Sequence, residues 1–252
     1  MSTAANAGAV KSGSRMASVF VALMGICACG VVTHAVLTHD PWSYWGFASL
    51  LLAGTLTSRL KVKLPGVNGN MSVNLPFIFI AMMQLGLAEA LLVAGVAVFA
   101  QCLPKRPNKL KPVQMFFNVC TGLVAAGLGW EMIHHAGLHL NPTVVLVMGC
   151  TAHLLVSTVA VASIISLTES QNAWRTWSDI GHLSFPYYLA STGVASIAAA
   201  VGGHTGWPML VAITSAMSVT YRSYRIYFNA VGSALTSGVG PTLQAKSAAA
   251  AR

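Results

Sequence analysis

The sequence predicts an all-α fold, a polytopic transmembrane helix bundle of about eight spans with both termini cytoplasmic. Three observations carry this. The 252-residue chain is 55% apolar and only 8% charged, with a mean hydropathy of +0.68, outside the range of soluble domains. It contains eight mostly apolar stretches, each close to the length needed for a helix to cross about 30 Å of hydrocarbon. When these are threaded back and forth, all 14 Lys and Arg residues fall on one side. By the positive-inside rule that side is cytoplasmic.

The chain divides into a cytoplasmic N-terminal segment (1–15), a single transmembrane domain (16–228) and a tail (229–252) rich in Ala, Ser and Gly, read as disordered. Span one covers 16–37. Span two, 42–57, follows Asp40-Pro41 and opens with the interfacial aromatics Trp42 and Trp45. Spans three and four, 73–87 and 88–103, form a hairpin turned near Gln84-Leu85-Gly86. The next loop, 104–112, has four cations and three prolines, so neither neighbouring helix continues through it. Spans five to eight are expected at 113–133, 143–167, 182–201 and 207–228. The net charge of +9 lies in loops beside apolar spans, which suits anionic headgroups of membrane lipids and not nucleic acid.

Six histidines, His34, His39, His134, His135, His139 and His204, lie at or near the outer face, beside Asp40 and Glu131. On a helix continuing through 139, Glu131, His135 and His139 recur every fourth residue and share one face. With His134 they make a candidate metal or pH-sensing cluster; the alternative is that they are ordinary loop residues, the helix ending at Gly137. Glu131 and Glu89 are expected to reach the interface. His153, midway along span six, is the one deep ionisable group. It is read either as a histidine hydrogen-bonded to a neighbouring helix or as part of a pathway. Asn74, Gln84, Gln101, Gln114 and Asn118 are expected to face inward, either bonding between helices or, with His153, lining a ligand site.

The five cysteines form no CxxC pair and read as packing residues. Small residues crowd spans five and seven, where they let backbones approach closely. Templates for hydrolases, metalloproteases and nucleotide hydrolysis are absent, and five acidic residues leave little general acid or base. The chain is expected to be no enzyme and to need no cofactor.

The segments Ser58-Arg59-Leu60-Lys61-Val62-Lys63-Leu64-Pro65-Gly66, Met71-Ser72-Val73-Asn74-Leu75-Pro76-Phe77, Val113-Gln114-Met115-Phe116-Phe117-Asn118 and Tyr221-Arg222-Ser223-Tyr224-Arg225 together resemble the N-terminal multi-helix membrane module of bacterial HD-GYP and GGDEF signalling proteins. In that family a catalytic output domain follows the last Arg-rich turn, whereas here an Ala/Ser tail does, so cyclic-dinucleotide chemistry is not carried over. The resemblance implies a sensory or accessory module in the inner membrane, working with a separate membrane or cytoplasmic partner protein. Arg222 and Arg225 are then either transmitters or lipid anchors. A second resemblance, to substrate-capture subunits of energy-coupling-factor transporters, implies a small-molecule carrier instead; those subunits usually have six spans.

Overall fold

A computed structural model describes residues 2–38, 44–63, 70–103, 111–135, 141–200, 211, 213–219, 221–223 and 226. The fold is helical: α1 (Ser2–Leu37), α2 (Tyr44–Thr57), α3 (Leu75–Gln84), α4 (Leu87–Cys102), α5 (Pro112–His134), α6 (Pro142–Glu169) and α7 (Ala173–Ala200). Helical residues recur at 211, 213–219, 221–223 and 226. Between α2 and α3 a short antiparallel pair, β1 (Lys61–Lys63) and β2 (Asn70–Ser72), aligns Val62 with Met71 in what the sequence reads as a plain basic loop.

Three helices are long and apolar enough to cross a membrane: Arg15–Leu37, Pro112–His134 and Pro142–Glu169. They mark the chain as a membrane protein. Their outward residues agree: Val19, Leu23, Ile26 and Val36 on α1, and Val144, Val147, Leu155 and Val159 on α6, are large, apolar and exposed, a surface that lipid tails solvate and water does not. The bounds of α5 and α6 follow their apolar runs because each opens on proline, whose missing N–H costs nothing in a first turn. Asn141 Oδ1 then accepts from Thr143 N at 2.9 Å to cap α6.

The α3–α4 hairpin is shorter than expected. α3 has ten residues, about 15 Å of helix, because it starts only at Leu75 and breaks at Leu85-Gly86. Residues Leu75 to Met82 are all buried, as an all-apolar helix requires. α3 is therefore the centre of the bundle, packed by α2, α4, α5 and α7, with Phe77, Phe79, Ile78 and Ile80 among the most buried side chains. At its far end Leu85 O accepts from Trp130 Nε1 at 3.0 Å. Glu89 is buried, and its Oε2 accepts from Gly86 N at 2.7 Å, capping α4.

α7 starts at Ala173, nine residues before the expected span at 182, inside what the sequence reads as loop 168–181. The reason is a cap: Asn172 Oδ1 accepts from Trp174 N at 3.0 Å and from Arg175 N at 3.2 Å. The opening turns are amphipathic, with Trp174 exposed and Trp177 donating to Thr158 Oγ1 of α6 at 3.2 Å. Pro186 sits inside α7 and removes one N–H from its ladder.

α5 and α6 cross with backbones in contact. A Cβ on Gly129 would lie 2.9 Å from Gly149 O, and one on Gly149 would lie 2.7 Å from Gly129 O. Glycine is required at both positions because no side-chain motion relieves a clash with a carbonyl. In α7, Gly193 has open space around it, so the expectation of close approach holds for α5 and not at that residue. Cys120 and Cys150 are buried as packing residues, whereas Cys27 and Cys29 are exposed on α1.

Candidate functional site

Two polar clusters stand out in the described residues. The first is at the end of α5, near the α3–α4 turn. Glu131 accepts from two imidazoles, one per carboxylate oxygen: His135 Nδ1 lies 2.8 Å from Oε2 and His34 Nδ1 of α1 lies 3.4 Å from Oε1. The His135 contact is the i, i+4 pair that helical spacing predicts. The His34 contact joins two helices far apart in sequence. His134 turns away: its ring stacks on Trp130 with centroids 4.0 Å apart, and its Nδ1 donates to Trp130 O at 3.0 Å. α5 is described from Pro112 to His134, and His139 lies outside the described residues. Among the described residues no three His, Cys, Asp or Glu side chains are arranged to hold a metal ion.

The second cluster lies in the bundle core. His153 of α6 is buried, 4% exposed, and its Nδ1 meets Tyr188 Oη of α7 at 3.2 Å. Ser157, one turn along α6, places its hydroxyl 3.4 Å from the same nitrogen while donating to His153 O at 2.7 Å. Phe79 of α3 stands edge-on to the imidazole, centroids 5.4 Å apart. The neighbouring Tyr187 turns to α3, where its Oη accepts from Leu75 N at 3.3 Å. That bond satisfies the free N–H of the first turn of α3, since residue 76 is proline and Phe77 N already donates to Asn74 O.

The other expected ligand-site residues do not converge. Asn74 is buried where α3 begins. Gln84 lies at the opposite end of that helix, and Gln114 is exposed at the start of α5, not inward. Asn118 Nδ2 donates to Cys102 Sγ at 3.4 Å, a bond between α5 and α4. Arg222 is described and exposed; Arg225 lies outside the described residues. Tyr188, Ser157 and Trp130 are not among the site residues expected from the sequence, although the His153/Ser157 spacing of four and the Tyr187-Tyr188 pair are both visible there.

The chain matches no protein-family model, no curated protein and no solved structure.

Proposed function

We propose that this chain is a sensory or accessory module of a bacterial inner membrane, which responds to conditions at the outer face and acts on a separate partner protein through helix packing. One observation carries the reading: a single carboxylate, Glu131, holds an imidazole from α1 and another from α5. Histidine is the side chain whose charge ordinarily changes between about pH 5 and 8, which makes the contact between α1 and α5 the candidate pH-sensing element. The other titratable groups described at this end are His134, held on Trp130, and Glu89, bonded to Gly86 N at the α3–α4 turn.

The proposed topology has about eight crossings, with both termini and every Lys and Arg inside. The short α3 does not disturb that parity, because a hairpin that enters and leaves on one side contributes an even count at any depth. Arg222 and Arg225 then lie at the inner leaflet as lipid anchors or transmitters. The test is a distance measurement between spin labels on α1 and α5 in bilayer nanodiscs. The separation should shorten from pH 8 to pH 5 in the wild-type chain and stay fixed in Glu131→Gln; a wild-type distance indifferent to pH would overturn the reading.

A small-molecule carrier is the second reading, favoured by α3: a ten-residue helix buried in the bundle is the kind of interrupted element that forms midplane sites in transporters. Uptake of labelled solutes by proteoliposomes distinguishes the two.

A further inference from the structure

α5 and α7 are not a closely packed pair among the described residues, yet one short helix touches both. α3 packs against α5 and against α7, and each of its ends is tied to one of them. At one end Trp130 Nε1 of α5 donates to Leu85 O at 3.0 Å. Leu85 still belongs to the ladder of α3, since its own N–H donates to Ala81 O at 2.9 Å. At the other end Leu75 N, in the first turn, donates to Tyr187 Oη of α7 at 3.3 Å.

Between these ties α3 moves as a unit. Its ten residues make about 15 Å of helix, a piece too short for the gentle curvature of long helices to matter. Leu75 to Met82 are apolar and buried, and apolar packing is non-directional. The surrounding side chains therefore keep α3 in the bundle without fixing where it stands along its own axis. The bonds at Leu85 and Leu75 do fix that position, because a hydrogen bond weakens steeply as its distance and angle depart from ideal.

The α5 end of this helix lies at a crowded turn. Gly129 faces the Gly149 carbonyl of α6, Trp130 holds α3, and Glu131 meets His34 of α1. Three consecutive residues hold three different helices, so α5 cannot rotate there without shifting the tie at Leu85.

We propose that α3 is a strut coupling the end of α5 to α7, so that a displacement at Trp130 is felt at Tyr187 and the reverse. Coupling of this kind is reciprocal. α6 also packs against both α5 and α7, but its bonds to α7 run through Tyr188 and Trp177, whereas the strut ends on Tyr187. The two routes part at adjacent phenols. Taken with the pH-sensing reading, the strut makes α7 the helix that receives the signal; that step rests on the reading, and the strut itself does not.

The test follows two protons by NMR of the full-length chain in nanodiscs: the Trp130 indole N–H and the Leu75 amide. Tyr187→Phe keeps the ring and removes the acceptor of Leu75 N. It should move the Trp130 indole proton upfield as that bond weakens, although the two residues bond to opposite ends of α3. Trp130→Phe should move the Leu75 amide proton upfield in turn. Tyr188→Phe, which removes a tie to α6 instead, should leave both signals in place. An unmoved far-end signal in either Tyr187→Phe or Trp130→Phe, or an equal movement in Tyr188→Phe, would overturn the inference. Where a variant fails to fold, hydrogen exchange of the wild-type chain decides: one movement of α3 should open both bonds, giving protection factors within about tenfold of each other. A wider gap would overturn the strut as well.

Discussion

His153 and Tyr188 meet at 3.2 Å between α6 and α7, both inside the bundle. The bond joins the last two helices described in full, and the partner of Tyr188 in sequence, Tyr187, joins α7 to α3. Two successive phenols therefore tie one helix to two others.

Tyr188→Phe keeps the ring against Phe79 and deletes the hydroxyl. A buried histidine nitrogen then loses a partner, and the chain should lose about 1 to 2 kcal/mol of stability. Thermal unfolding in a fixed detergent checks this; an unchanged melting temperature would mean that Ser157 alone satisfies the imidazole.

Gly129→Ala and Gly149→Ala should each destabilise by about 1 to 3 kcal/mol, because the added methyl meets the facing carbonyl. Gly193→Ala, with open space around the new carbon, should be neutral or gain up to about 1 kcal/mol from helix propensity. The contrast is the measurement: equal effects in all three would contradict the α5–α6 crossing.

Glu131→Ala should loosen α1 from α5, because it removes the acceptor that holds both His135 Nδ1 and His34 Nδ1; thermal unfolding in a fixed detergent should show a loss of up to about 1 kcal/mol, the scale of partly exposed pairs. His34→Ala should reproduce part of that loss, whereas His134→Ala should leave the α1–α5 contact intact, since His134 bonds to Trp130 O instead.

Ser170 closes α6 in the left-handed region, φ 54°, where a side chain costs about 1 kcal/mol or more. Ser170→Gly should raise stability by up to about 1 kcal/mol. A loss on this substitution would show that the side chain supplies something its exposure conceals.

The long helices α5 and α6 were legible because an apolar run and an opening proline mark the same boundary. α7 was not, because hydropathy weighs Trp174, Arg175 and Asp179 as loop, whereas the Asn172 cap and Trp177 bonding to Thr158 make those turns helix. The turn near Gln84-Leu85-Gly86 is legible in the sequence; the expected span 73–87 is longer than α3 because its bounds follow the apolar run past that turn and ahead of Leu75. Within the outer cluster, Glu131 to His135 is a local spacing and was readable. That His34 takes the other oxygen depends on how α1 lies on α5, which no spacing encodes. That Glu89 caps its own helix is not legible, because an acidic residue three positions after a turn looks the same in sequence whether it faces water or bonds back to Gly86 N.

Pro186 immediately precedes the two phenols of α7. The carbonyl four residues back, at His182, has no backbone donor from that position, so the rod is weakest where it makes its two longest-range connections. A small pivot there swings Tyr187 and Tyr188 together, and the start of α3 and the imidazole of α6 would be let go or recaptured in the same movement.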